Sequence, residues 1–175
     1  MLTEPLPSTL DIRKAAARGV SISGAVKAVD LPRFLPLLAA ETATIDAFLD
    51  CSRDEENRYL VRIVVEASVT VACQRCLEIM SVPLRSENTL AVVWTDEQAA
   101  HLPRHLDPLI LSGEPCNLWE LVADELILAM PAFSYHDTDE CNRTTAGFAD
   151  PETESPEEKP NPFNVLEQLK PGNKH

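Results

Sequence analysis

Residues 59–94 read YLVRIVVEASVTVACQRCLEIMSVPLRSENTLAVVW, and their periodicity decides the fold. From Tyr59 every second position is apolar or a thiol: Tyr59, Val61, Ile63, Val65, Ala67, Val69, Val71 and Cys73. Arg62, Glu66, Ser68 and Thr70 lie between them, so one face of an extended strand is built for a core and the other for water. The alternation stops at Cys73-Gln74-Arg75-Cys76 and resumes on Met80, Val82, Leu84, Leu90, Val92 and Trp94. Two strand-forming arms therefore flank a tight turn that carries a Cys-x-x-Cys motif. Strands usually run about five or six residues, so arms of this length predict a bend or a bulge.

Working outward, the preceding stretch supplies partners for the first arm. Asp11 is placed to cap a short helix over residues 12–18, with Gly19 as its left-handed stop. Val20, Ile22, Gly24, Val26 and Ala28 alternate as a strand. A second short helix is expected at about 34–40, where Pro36 is tolerated only in the first turn. Ala43, Ile45, Ala47, Leu49 and Cys51 share one parity, which predicts a strand over 42–52 with the Cys51 thiol facing the core. The polar run 53–57 then turns the chain into the long arm as an antiparallel hairpin. Beyond Trp94 the pattern dissolves over 95–108, with a brief strand expected at 109–111. Asn117 and Glu120 open a helix whose Leu118, Leu121, Val122, Leu126 and Ala129 recur at three and four residues, ended by Pro131. Trp119, Glu120, Asp124 and Glu125 fall on its solvent flanks. The expected fold is α+β: a bent antiparallel sheet from about Val20 to Trp94, a packed C-terminal helix and a disordered acidic tail.

A chain of 175 residues fits one domain and buries roughly two-thirds of its unfolded surface. The domain is expected over 1–141, followed by a disordered acidic tether over 142–160 and an amphipathic segment over 161–175. The net charge is −13, and nearly half of it lies between Asp137 and Pro160. That balance excludes the broad basic surface of a stand-alone nucleic-acid binder, so any RNA contact is local or assisted by a partner. Arg53, Arg58, Arg62 and Arg75 are the candidates for tracking a phosphate backbone, Arg58 and Arg62 sharing a strand face; a solvated sheet face is the plainer account. Without a long apolar run or a secretory leader, the expectation is a cytoplasmic protein with no membrane partner. Five cysteines, an odd number, fit reduced thiols better than a disulfide framework.

The cysteine turn carries the chemistry. Two thiolates separated by two residues can face one ion, and His136 with Cys141 supplies a second pair, so Cys73, Cys76, His136 and Cys141 form a candidate zinc set with Cys116 in reserve. An unmetallated thiol pair and a thioredoxin-like dithiol are the alternatives; the latter is disfavoured because a period-two arm, not a helix N-terminus, follows the motif. Glu120, Asp124 and Glu125 could form a carboxylate cluster, although acids on an exposed helix flank need no such role. No histidine spacing or nucleophile pair indicates an enzyme.

Taken together, Val71 through Cys76, Asn117-Leu118 through Val122, Asp124-Glu125 and Leu128 through Pro131 resemble the YceD-like family. His136-Asp137 with Cys141, and Asn161-Pro162-Phe163 with Val165-Leu166, extend the likeness in the same order. Two departures stand out: Asn117 in place of an acid, which caps equally well, and Ser134 in place of a proline, which loosens the approach of His136 and Cys141. The resemblance implies a bacterial or plastid factor required for accumulation of large-subunit (23S) ribosomal RNA, a non-enzymatic role in ribosome biogenesis, and a pre-ribosomal particle as partner. A thiol redox protein or a zinc-stabilised binding module using Cys73 and Cys76 is the alternative. Phe163, Val165, Leu166 and Leu169 form an apolar stripe beyond the acidic tether, suited to docking on a basic ribosomal protein or folding back on the sheet.

Overall fold

In the computed structural model, which describes residues 4–111, 113, 115–137 and 141, the periodic stretch becomes two long strands, β4 (Tyr59–Ala72) and β5 (Ile79–Val93). They pair antiparallel from Leu60 opposite Ala91 to Ala72 opposite Ile79 with no break in register. The bulge expected in these arms is absent from that ladder. An inserted residue would reverse the parity of everything beyond it and turn Arg62 or Glu66 towards the core, so the unbroken apolar stripe holds the register.

β3 (Thr44–Arg53) pairs with the other edge of β4, and β2 (Ser21–Lys27) pairs with β3. The β3–β4 turn is closed by the Asp54 carboxylate, which accepts from the backbone N–H groups of Glu56 at 3.0 Å and Arg58 at 2.9 Å, with Asn57 left-handed at φ 61°. The strand order is β2-β3-β4-β5-β6. The last of these, β6 (Asp107–Ile110), lies parallel to β5, a departure from the all-antiparallel expectation. A parallel neighbour needs a crossover, and α2 (Asp96–Ala100) supplies it. Sequence periodicity misses this helix because it is five residues long with no buried face; its mark is the cap, where Thr95 accepts from the Gln98 N–H at 3.2 Å.

One face of the sheet is covered by α1 (Ile12–Arg18) and α3 (Leu118–Ala129). Ile45, Leu49, Val61, Ile63, Val65 and Val69 are fully buried beneath them. Asp11 accepts from the Lys14 N–H, Gly19 stops α1 at φ 63°, and Asn117 accepts from the N–H groups of Trp119 and Glu120, all as expected from the caps. The helix expected at 34–40 is instead a single 3₁₀ turn, Leu35–Leu37, with Pro36 in its first turn and Leu38 already extended. A two-stranded ribbon of β1 (Thr9–Leu10) and β7 (Cys116–Asn117) was not legible in so few residues. Glu125 is also a correction: it is buried, and its carboxylate accepts from the Ser86 hydroxyl at 2.6 Å. Cys51 is buried in the core, where burial first, then Asp50 and Cys116, push its thiol up to about 11. The tether at 142–160 and the segment with Phe163, Val165, Leu166 and Leu169 lie outside the described residues.

The N-terminal strap crosses β2 at Gly24. The Leu6 N–H donates to the Ala25 carbonyl at 2.9 Å and the Ala25 N–H to the Glu4 carbonyl at 2.8 Å. A Cβ on residue 24 would stand 2.6 Å from the Leu6 nitrogen and 2.7 Å from its Cα, distances that backbone atoms cannot relieve without parting. Gly24→Ala is therefore expected to lower stability by about 1–3 kcal/mol through overpacking, measured as a lower denaturant midpoint, and to loosen the strap. An unchanged midpoint would show that the strap does not contribute to the folded state.

Candidate metal centre

β4 and β5 converge on a knuckle at residues 73–78. The Cys73 N–H donates to the Glu78 carbonyl at 2.8 Å, and the Leu77 N–H donates back to the Cys73 carbonyl at 2.9 Å. Leu77 takes a left-handed φ of 64°, the conformation that closes so tight a loop and leaves its side chain exposed. Pro131 then ends α3, and residues 132–137 run back across the knuckle, where the Gln74 N–H donates to the Ser134 carbonyl at 2.9 Å. Ser134 is buried, and its carbonyl is the acceptor that holds the segment against the knuckle.

The result brings together Cys73, Cys76, His136 and Cys141, with all four ligand atoms within 4.8 Å of one another. The Cys73 and Cys141 sulfurs are 3.6 Å apart, and the Cys76 sulfur lies 3.3 Å from His136 Nδ1. Tetrahedral zinc with Zn–S near 2.3 Å and Zn–N near 2.05 Å would set these separations at about 3.8 Å and 3.6 Å. Three cysteines and a histidine, drawn from a knuckle and a distant segment, are a donor set that can hold a metal ion. Cys116, the reserve ligand, sits in β7 and is not in this group.

The electrostatics of the knuckle suit a thiolate. Burial pushes the Cys73 thiol up, but the backbone N–H groups of Cys76, Arg75 and His136, with the Cys76 thiol, outweigh it and hold Cys73 down at about 5. For Cys76 the Glu78 N–H favours the thiolate, while burial and the Cys73 and Cys141 thiols together prevail and raise it. Amide donors directed at a cysteine sulfur orient and stabilise a metal-bound thiolate in the same way. Beside the cluster, the rings of Phe133 and Tyr135 stack at 6.3 Å, and the Arg75 guanidinium lies 4.9 Å from the Tyr135 ring centre.

The four arginines considered as RNA candidates are not brought together: Arg53 lies over the Tyr59 ring. Arg58 pairs with Asp54 at 2.6 Å and Glu56 at 3.0 Å, Arg62 pairs with Glu87, and Arg75 stands at the knuckle. Of the acidic trio on α3, Asp124 pairs with Arg33 and Glu125 is held by Ser86, so no carboxylate cluster forms. Sequence periodicity also passed over a second constellation at the opposite end of β4 and β5. There Tyr59 and Trp94 meet edge to face at 5.9 Å, with Arg13 5.5 Å from the Trp94 ring and Arg53 4.5 Å from the Tyr59 ring. Its four residues come from α1, β3, β4 and the end of β5, so no local spacing marks it.

An α+β protein whose hairpin tip and post-helix segment form a Cys3His cluster is the class that these elements define. The family model for the large ribosomal RNA subunit accumulation protein YceD matches residues 61–170. The chain is also similar to the protein of that name from Haemophilus influenzae, 32% identical over 171 residues that cover 94% of this chain and 96% of the relative. The chain belongs to the YceD family. No solved structure matches it.

Because Cys73 lies below its ordinary value of 9, its thiolate contributes stability that is present above pH 9 and is lost as pH falls through the window from 9 to about 5. In metal-stripped protein, the thiolate ultraviolet absorbance missing from Cys73→Ala is expected to titrate well below 9. A midpoint at or above 9 would show that the knuckle amides do not hold the thiolate.

Proposed function

We propose that this chain is a non-enzymatic assembly factor needed for accumulation of large-subunit (23S) ribosomal RNA, acting in the cytoplasm on the pre-ribosomal particle, with a structural zinc ion fixing its knuckle. The observation that carries the reading is the match, along almost the whole chain, to a relative named for large ribosomal RNA subunit accumulation. Among the described residues no helix is long and apolar enough to cross a membrane. The four-ligand set supports a structural rather than catalytic metal, since catalytic zinc keeps a coordination position open for water or substrate. A redox dithiol draws less support: the Cys73 sulfur is matched by Cys141 as well as Cys76, and a lowered thiolate is also what a metal requires.

Zinc here would join a hairpin tip to a segment some sixty residues later in sequence, so the metal would contribute folding free energy as well as shape. Protein purified without chelator is expected to carry close to one zinc per chain, and chelation or Cys76→Ser to lower its melting temperature. Deleting the gene is expected to lower 23S relative to 16S RNA, with restoration by the wild-type chain and poor restoration by Cys76→Ser. An unchanged ratio on deletion would remove the functional reading, whereas zinc-free protein of unchanged stability would remove the metal alone.

The acidic segment enters as a protein contact. Like charge makes residues 142–160 a poor ligand for phosphate, while Phe163, Val165, Leu166 and Leu169 give the segment beyond it an apolar stripe at helical spacing. The reading is that this stripe captures a basic ribosomal protein, with the acids steering the encounter. Truncation after Asp150 is expected to leave the melting temperature unchanged and to reduce co-sedimentation with pre-ribosomal particles; a clear fall in melting temperature with association retained would instead make the stripe a clasp on the protein's own sheet.

A further inference from the structure

The chain carries 28 acidic residues against 15 Lys and Arg, so an arginine has ample opportunity to find a carboxylate. Lys14, Arg33, Arg58, Arg62 and Arg85 do so. Among the described residues Arg13 and Arg53 have no carboxylate partner within ion-pair distance, and both lie over aromatic rings instead. The Arg53 guanidinium stands 4.5 Å from the Tyr59 ring centre while its Nη2 donates to the Tyr59 hydroxyl at 2.8 Å. Arg13 stands 5.5 Å from the Trp94 ring centre, and the two rings meet at 86°. Two cations and two π-faces are therefore gathered at one end of the sheet.

Beside them lies a cleft of about 520 Å³, walled by Tyr59, Val92 and Trp94 and edged by Asn57, Gln98 and His101. That volume falls within the range of roughly 300–1,000 Å³ that accepts small organic ligands. Trp94 is 38% exposed, so part of its surface is open to a ligand. Arg58 also borders the cleft, but Asp54 and Glu56 occupy its charge. Glu97 is the one acid on the cleft wall. Two aromatic rings set at 86°, an amide and an imidazole at the rim, and two guanidinium groups that lie over the same rings but outside the cleft lining suit an unpaired nucleotide: the base stacks, its edge meets the rim, and its phosphate reaches past the rings to an arginine.

We infer that the Tyr59–Trp94 cleft, with Arg13 and Arg53, binds unpaired nucleotides of single-stranded RNA. This rests on the proposed role in ribosomal RNA accumulation and supplies the direct contact that the acidic surface elsewhere disfavours. One or two nucleotides are held by stacking and by two cations, so binding is short, tolerant of sequence and only modestly dependent on salt. The arrangement discriminates against duplex RNA, whose bases present no free faces.

The test uses full-length protein and a ten-nucleotide single-stranded oligouridine at low salt, followed through Trp94 fluorescence. Trp119 does not line this cleft, and its indole N–H donates to the Leu6 carbonyl, so Trp119→Phe isolates the signal. Saturable quenching is expected, with affinity reduced about tenfold or more in Arg13→Ala/Arg53→Ala and in Trp94→Ala, and unchanged in the sheet-face control Arg85→Ala. Circular dichroism confirms that each variant folds, and a Trp94→Phe chain assayed by oligonucleotide anisotropy keeps most of the affinity if stacking is the cause. Failure of the wild type to bind, equal binding of a duplex, or wild-type affinity in the double arginine variant would overturn the inference. The gene-deletion ratio separates this from the broader reading: a fall in 23S RNA with no oligonucleotide binding defeats the cleft alone, and an unchanged ratio defeats the ribosomal role whatever the oligonucleotide does.

Discussion

The uninterrupted β4–β5 ladder is the constraint on which the rest of the molecule depends. Thirteen consecutive residue pairs, from Leu60–Ala91 to Ala72–Ile79, hold one parity and therefore one buried face. A strand rises about 3.3 Å per residue, so the ladder sets its two ends roughly 40 Å apart. At one end it presents Cys73 and Cys76 to His136 and Cys141; at the other it delivers Tyr59 and Trp94 to each other. Neither constellation is assembled by a loop acting alone. A register slip of one residue would bury Arg62 and Glu66 and disrupt both ends together.

On the solvent face of the same ladder the arginines are paired with carboxylates. Glu66 meets Arg85 and Arg62 meets Glu87 across the two strands, and Arg85 also reaches Glu87 two residues along β5. The two arginines hold the Glu87 carboxyl below its usual range through charge-assisted hydrogen bonds. These groups are about half exposed, so such pairs contribute little to stability, typically below about 1 kcal/mol each. Their consequence is local neutrality: a phosphate approaching Arg62 would have to displace Glu87. Arg13 and Arg53, by contrast, lie over rings at the ladder's aromatic end and have no carboxylate within ion-pair distance among the described residues.

Long-range periodicity made the principal sheet legible, and short punctuation marks placed its helices. Val61, Ile63, Val65 and Val69 announce their buried face by alternation, and Asp11, Gly19 and Asn117 announce helix ends by capping chemistry. Elements of five residues or fewer had no period to show, which is why α2, β1 and β7 were missed and why β6 was read without its parallel partner. The four metal-ligand candidates were legible by residue type, since thiols and an imidazole after a helix stop have few other uses in such a pattern; their convergence was not, because it depends on a backbone hydrogen bond from Gln74 to Ser134. Glu125 was misread for a related reason. Charge suggested solvent, yet Ser86 on β5 lies opposite and satisfies the carboxylate.

The Cys3His cluster also changes what the C-terminal part of the chain can do. Residues after Pro131 have no strand pairing among those described, and their fixed points are the Gln74–Ser134 hydrogen bond and the ligand side chains themselves. One backbone hydrogen bond contributes about 1 kcal/mol net, too little to order a segment against the entropy of several residues. A shared metal ion at the same place would supply far more, since each ligand must be placed for the site to close. The ion would then fix Cys141, the last of the described residues, at the Cys73–Cys76 knuckle, at the end of the ladder away from Tyr59 and Trp94.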